Sequence, residues 1–314
     1  MKYPYESHIP DSYSEREGTP MERENILYHS FCHIPGIGTR TEEKLWQKGI
    51  KDWSELLLYS GEENNILKVS QRHIEEYLQK SEEALATNNA LYFQEMLPPS
   101  EQYRIFPLVR DSVCYLDIET TGCTSSDVIT CVCLWNGANL KSYIRYQNLP
   151  SLADELLEYK AIVTYNGRAF DIPFMQRELQ CKAPIIHIDL RFIMFSLGYR
   201  GGLKGVEKAL GIDRKNLTGV DGYFAVLLWK LYEETNQESA LHTLLAYNAE
   251  DTINLEKILV LGYNMKIDKL ALAEPYKMHL SVPLTPQPYY NADESIIQSI
   301  KESIEQRNQD TGLF

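Results

Sequence analysis

The spacing of apolar residues changes character near residue 100. From about 20 to 97 they recur three or four apart, in "ILYHSF", "TEEKLWQKGI", "DWSELLLYS", "HIEEYLQKSEEAL" and "ALYFQEML". That period predicts helices, and Pro98-Pro99 closes the run. From about 103 the texture turns to strands. "SVCYLDIE", "DVITCVCLW" and "LKSYIRY" are rich in β-formers and separated by turn residues such as Gly122 and Asn136-Gly137. Helical and strand patterns then alternate: "LADELLEY", "AIVTYN", "DIPFMQRELQ", "PIIHID", and helices on to about 263. Three strands in a meander followed by alternation predict an α/β domain with a mixed sheet flanked by helices. The chain therefore divides into a flexible polar lead-in (1–20), an all-α domain (21–100), an α/β domain (103–263) and a C-terminal extension (264–314). The extension ends in "DESIIQSIKESIEQ". There Ile296, Ile297, Ile300 and Ile304 share one helical face, expected to dock on its own domain.

Composition narrows the class. The chain has 314 residues, 44% hydrophobic and 24% charged, as a soluble globular protein has. It has no apolar run of about 18 residues and no signal-peptide core at its start, so a cytoplasmic protein without a membrane partner is expected. The six cysteines are scattered, which suits reduced core residues. His29, Cys32 and His33 have metal-like spacing, but a four-ligand site needs more than one local group. A formal charge of −13 argues against coating nucleic acid by charge alone. It does not exclude a nuclease, because acids around divalent ions inflate the negative count.

The candidate chemistry starts at "CYLDIETTGC". Asp117 and Glu119 lie two apart on a predicted strand and so share a face. Alone they read by default as a solvated strand end. Downstream, "AIVTYNGRAFDIPFM" runs from strand through turn to helix, with Asp171 in the first helical turn. Helix capping explains an acid there, yet the position also lies beyond a strand's C-terminal end, where α/β sites gather. Further on, Tyr247 and Asp251 stand at i and i+4 beside Leu244 and Leu255, on the face that should be buried. Burying a carboxylate unpaired is costly, and a bound cation removes the cost.

These four acids and the tyrosine resemble the DEDD family of 3′–5′ exonucleases, which have the ribonuclease-H-like fold. The family's D-x-E motif is matched by Asp117-Ile118-Glu119. Its Asn–aromatic–Asp motif is matched by Asn166, Phe170 and Asp171 of "NGRAFD". "YNAED" matches the branch with Tyr-x-x-x-Asp. Position 246 is Ala where the other branch needs His. "YLDIETTG", "YNGRAFDIPFM", "HIDLRF", "LKGVEKALGI" and "YNAEDTINL" bring the chain closer still to YprB-like ribonuclease-H-like domains, over about 111–262.

The resemblance implies a metal-dependent 3′–5′ exonuclease on DNA or RNA, acting on a single strand or a 3′ end. It would use two divalent ions, Mg²⁺ or Mn²⁺, held by Asp117, Glu119, Asp171 and Asp251, with Tyr247 orienting the attacking water. Thr120 and Thr121 either line a substrate channel or serve the turn. Asn166 either touches the terminal nucleotide or serves its own turn. His187 and Asp189 of "HIDL" are expected to give hydrogen-bond support. Between 160 and 215 the chain carries ten basic and five acidic residues, so Arg200 and Lys204 of "YRGGLKGVEK" suit contact with a phosphate backbone.

The front domain contains "HIPGIGTRTEEKLWQKGI", which resembles a helix–hairpin–helix motif. Such a motif either aims the N–H groups of Gly36, Ile37 and Gly38 at a phosphate or serves as a purely structural hairpin. Here Glu42 stands where such motifs usually carry a small residue, with Arg40, Lys44 and Lys48 nearby. Three other readings accompany the exonuclease: a structure-specific endonuclease on the same fold, a non-catalytic nucleic-acid-binding module, and a scaffold that holds partners with the helical domain and the Ile-rich tail. The presence of all four acids and Tyr247 speaks against the second.

Overall fold

A computed structural model describes residues 25–59, 66–180, 186–212 and 222–310. The lead-in over 1–20 lies outside them, as do Cys181, Lys182, Arg214 and Lys215. The chain separates into two compact units. One ends at Asn89 and takes in Leu270–Met278; the other runs from Ala90 to Lys269 and resumes at His279. Among the described residues, no helix is long and apolar enough to cross a membrane.

The first unit holds α1 (Thr39–Gln47), α2 (Trp53–Leu58) and α3 (Gln71–Ala86). Its core includes Phe31, Leu45, Trp53, Leu56, Ile74 and Leu78. "ILYHSF" does not form the α-helix that its spacing predicts. It makes a four-residue 3₁₀ turn, Ile26–His29. The physical reason is competition for carbonyls. The indole N–H groups of Trp46 and Trp53 donate to His29 O (3.0 Å) and Ser30 O (2.8 Å), and the Ser30 hydroxyl takes Ile26 O. The metal-like spacing of His29 and His33 serves hydrogen bonds instead: His29 Nδ1 pairs with Lys51 O and His33 Nε2 with Ser81 Oγ, each at 2.9 Å.

The second unit begins with α4 (Ala90–Met96), followed by β1 (Val113–Thr120), β2 (Ile129–Trp135), β3 (Leu140–Ile144), β4 (Ala161–Thr164), α5 (Asp171–Leu179) and β5 (Ile186–Asp189). Then come α6 (Leu190–Ser196), α7 (Gly202–Ala209), α8 (Gly222–Thr235), α9 (Glu238–Asp268) and α10 (Glu294–Asp310). Gln94 of α4 accepts from His187 N at 2.6 Å, which ties α4 to β5. The compact units thus part at Asn89/Ala90, ahead of the Pro98-Pro99 pair that ends the helical spacing.

The described strands form one sheet in the order β3-β2-β1-β4-β5. β1, β2 and β3 pair antiparallel; β4 and β5 join in parallel. This is the mixed α/β sheet expected from the pattern. One face packs against α5 and the short helix Leu152–Glu155: Cys114, Leu116 and Ile118 of β1 meet Leu152, Leu156, Phe174 and Met175. α9 lies against β1 and β2 on the other. The apolar face of α10 is buried as anticipated, with Ile296, Ile297 and Ile300 in one cluster with Phe224, Leu244 and Tyr247.

Candidate active site

Alternation along β1 builds the site. With Cys114, Leu116 and Ile118 directed into one core, Asp117 and Glu119 point to the opposite side, toward α9. The ladder to β2 shifts register between Glu119 and Thr120, so pairing becomes irregular where the acids end. α9 presents Leu244, Tyr247, Asp251 and Leu255 on one buried face. Asp117, Glu119 and Asp251 each offer one oxygen, and these three atoms lie within 4.8 Å of one another. Among the described residues this is the one group of three or more acidic, His or Cys side chains gathered so closely.

Asp171 begins α5 and is buried. It is not one of the three clustered residues, but its charge acts on Asp117. Burial pushes the Asp117 carboxyl well above the usual range, and the charges of Asp171, Asp251 and Glu119 push it further. Burial likewise raises Asp171 to about 7, with Asp189 adding to the rise; backbone hydrogen bonds at Asp171 itself and at Ile118 pull the other way. Asp117, Glu119 and Asp251, with the charge of Asp171 acting on Asp117, make an all-oxygen, hard donor set. That set fits a hard divalent cation and suits softer, thiolate-seeking ions poorly.

One residue in the site escapes motif reading. Asn248 follows Tyr247, is fully buried, and its Nδ2 donates to both Asp117 O (3.0 Å) and Asp117 Oδ2 (2.8 Å). This pair of bonds fixes the carboxylate relative to its own backbone and lowers its proton affinity against the other influences. The signal in the sequence is an Asn on the buried side of a long helix, which needs a polar partner. Tyr247 packs near Phe224, with ring centres 6.0 Å apart, one helical turn before Asp251.

The loop into Asp171 is held from β5. Asp189 accepts from Asn166 N (2.8 Å), Arg168 N (3.2 Å) and Arg191 N (3.0 Å), and so caps α6 while it fixes the loop. Asn166 has a left-handed backbone, φ 66°, and its Oδ1 accepts from Arg191 Nη1. His187 Nε2 pairs with Thr164 Oγ1 at 2.8 Å, and that oxygen accepts from Gly167 N at 3.1 Å. Burial lowers His187 to about 4, so the ring is neutral near pH 7. His187 and Asp189 thus make hydrogen bonds that shape the loop, and Asp189 stands outside the acid cluster.

The remaining candidates have mainly local partners. Thr120 Oγ1 donates to Gly122 O (2.6 Å). Thr121 Oγ1 donates to Asp127 (3.0 Å) and accepts from Val128 N (3.0 Å). Both threonines therefore serve the turn after β1. Arg200 donates to Phe195 O and Tyr199 O, each at 2.8 Å. Lys204 lies on α7, half-buried; α7 is anchored through buried Glu207, which accepts from Asn254 of α9 at 2.7 Å.

In the front unit, Gly36 and Gly38 are exposed, and Gly36 needs its positive φ of 90°. The expectation for Ile37 is corrected: its N–H closes a turn to Ile34 O at 2.9 Å and is not offered to a phosphate. Glu42 turns inward, accepting from Phe31 N (2.6 Å) and Cys32 N (3.0 Å), so its charge is taken up by two buried amides.

Residues 114–263 match the family model of the RNase H superfamily. The second unit carries a ribonuclease-H-like domain. The matched span contains all four acids, Tyr247 and Asn248. A family B DNA polymerase from the hyperthermophilic archaeon Pyrobaculum calidifontis is a similar solved structure. The likeness has a TM-score of 0.32 and 13% identity, over 49% of this chain and 29% of the polymerase chain. The chain thus spans less than a third of that polymerase. No curated protein matches.

Proposed function

We propose that the protein is a metal-dependent nuclease, a 3′–5′ exonuclease that hydrolyses phosphodiester bonds of DNA or RNA. The observation that carries this reading is the meeting of Asp117, Glu119 and Asp251 at the end of β1, with Asp171 close enough to raise the proton affinity of Asp117. The match to the RNase H superfamily over the same residues supports it.

Asp117, Glu119, Asp171 and Asp251 would hold two divalent ions, Mg²⁺ or Mn²⁺. Such ions, when bound, offset charge on the scissile phosphate and ease ionisation of water. Asn248 keeps Asp117 in one orientation. Asp189 and His187 fix the loop that delivers Asp171. Tyr247 orients the attacking water by a hydrogen bond. The helix–hairpin–helix-like element of the front unit would add contacts to the nucleic-acid backbone through Gly36 and Gly38, with Glu42 turned inward.

The test is a panel of end-labelled single- and double-stranded DNA and RNA, with Mg²⁺, Mn²⁺ or EDTA. Release of nucleotides from 3′ ends is expected only with metal, and Asp117→Asn should lower it by on the order of a hundredfold or more. A circular single strand should survive; its cleavage would point to an endonuclease. Absence of metal-dependent release from every substrate would leave a binding module as the better reading.

A further inference from the structure

α6 leaves β5 with Leu190, Ile193 and Met194 buried. Its other side exposes Phe192 (39%) and Phe195 (57%), three positions apart and so neighbours on the helix surface. Isolated exposed apolar residues are ordinary, but each of these rings carries its own guanidinium. Arg168 lies over Phe192 at 5.6 Å from the ring centre, and Arg200 over Phe195 at 3.5 Å. Both arginines are fixed in place. Arg168 Nη2 donates to Gln102 Oε1 (2.6 Å) and His187 O (3.3 Å); Arg200 is held by the carbonyls of Phe195 and Tyr199.

Along this stretch of sequence the charge is one-signed. From Leu190 to Val206 the chain has Arg191, Arg200 and Lys204 and no acid. The nearest acid in sequence, Asp189, is buried against three backbone N–H groups. The patch also adjoins the candidate site, because Arg191, next to Phe192, bonds Asn166 in the loop that leads to Asp171. In α/β sheets ligands gather at the C-terminal ends of the parallel strands, and both β4 and β5 end here.

We infer that Phe192 and Phe195, with Arg168 and Arg200, form a platform on which two unpaired bases of a single-stranded nucleic acid stack as the strand approaches the acids. Flat aromatic and guanidinium surfaces accept any base, while the positive charge attracts the phosphates between them. A duplex keeps its bases stacked on one another and has none to offer. The inference deepens the nuclease reading by placing two bases of the strand on α6, and it rests on that reading for the path of the strand toward the acids.

The test is fluorescence anisotropy with labelled oligo-dT, oligo-rU and a DNA duplex, in EDTA so that no turnover occurs. The proteins are the full-length wild type, Phe192→Ala/Phe195→Ala and Phe192→Leu/Phe195→Leu. The leucine pair keeps apolar bulk and removes stacking. Both double variants should bind single strands at least about tenfold more weakly, with unchanged melting temperature and unchanged salt dependence. Duplex binding should not respond. Equal affinity in all three proteins, an equal loss on duplex, or no measurable single-strand binding by the wild type would overturn the inference. So would self-association of the wild type that the variants abolish while oligonucleotide binding stays the same. Hydrolysis of bis-p-nitrophenyl phosphate, too small to reach the platform, is measured in parallel with Mn²⁺. Metal-dependent turnover with unaltered strand binding rejects the platform alone. Platform-dependent binding without turnover here or on the end-labelled panel rejects the nuclease alone.

Discussion

Burial raises the proton affinity of Asp117 and Asp171 above that of ordinary aspartates, and this makes metal binding visible in stability. The unfolded chain ionises Asp171 near 3.9; the folded protein does so at about 7. Between those values the folded state binds more protons. Its contribution is therefore complete at the acid end and lost as pH rises toward 7. His187 acts in the opposite sense: lowered to about 4, its contribution is present above 6.5 and lost as pH falls. Comparing samples with and without metal at one pH cancels the His187 effect. The gain in melting temperature from Mg²⁺ or Mn²⁺ should be larger near pH 8 than near pH 5.5, when the acids must shed protons to bind it. Equal gains at both pH values would remove these carboxylates from the metal site. Asn248→Ala tests the support of Asp117. It should weaken Mn²⁺ binding roughly 10- to 100-fold by titration calorimetry, as losses of outer-shell partners do. The four acids and Tyr247 are legible as residue types at motif spacings. Asn248 is less so, because its partner lies 131 positions away in sequence.

At the scale of elements, the loop from β4 to α5 decides where Asp171 sits. Gly167 allows the close approach there: a Cβ at this position would fall 2.1 Å from Thr164 Oγ1. Gly167→Ala must displace Thr164, and with it the bonds to His187 Nε2 and to residue 167's own N–H. A loss of about 1–3 kcal/mol by urea denaturation is expected, together with a fall in metal-dependent activity. Unchanged stability would mean that the loop relaxes without cost. Strand alternation and helical spacing were readable for β1 and α5, because one face of each is apolar. "ILYHSF" was misleading, since its helical spacing is overruled by two tryptophans that claim its carbonyls.

For the molecule as a whole, the C-terminal helix and the candidate site share a core. Ile296, Ile297 and Ile300 of α10 pack in one cluster with Phe224, Leu244 and Tyr247. An Ile-rich tail could have been a surface for partners; its apolar face is instead consumed within the chain. Ile297→Ala should cost about 2–5 kcal/mol, read as a lower melting temperature, and should lower activity through Tyr247. A tail that only tethers partners would leave both measurements unchanged.

Local patterning alone sets the order of strands and main helices from β1 onward, the shared face of Asp117 and Glu119, and the pairing of Tyr247 with Asp251 one turn apart. These follow from periods of two and 3.6, which are local properties of the backbone. Tertiary structure decided which carboxylates meet, that Asn248 holds Asp117, that Glu42 is turned inward, and that Phe192 and Phe195 stay exposed beside arginines. Those facts depend on contacts that no local period encodes: Asp117 and Asn248 meet only when the sheet and α9 close on one another, and Glu42 reaches the amides of Phe31 and Cys32 only within the folded front unit.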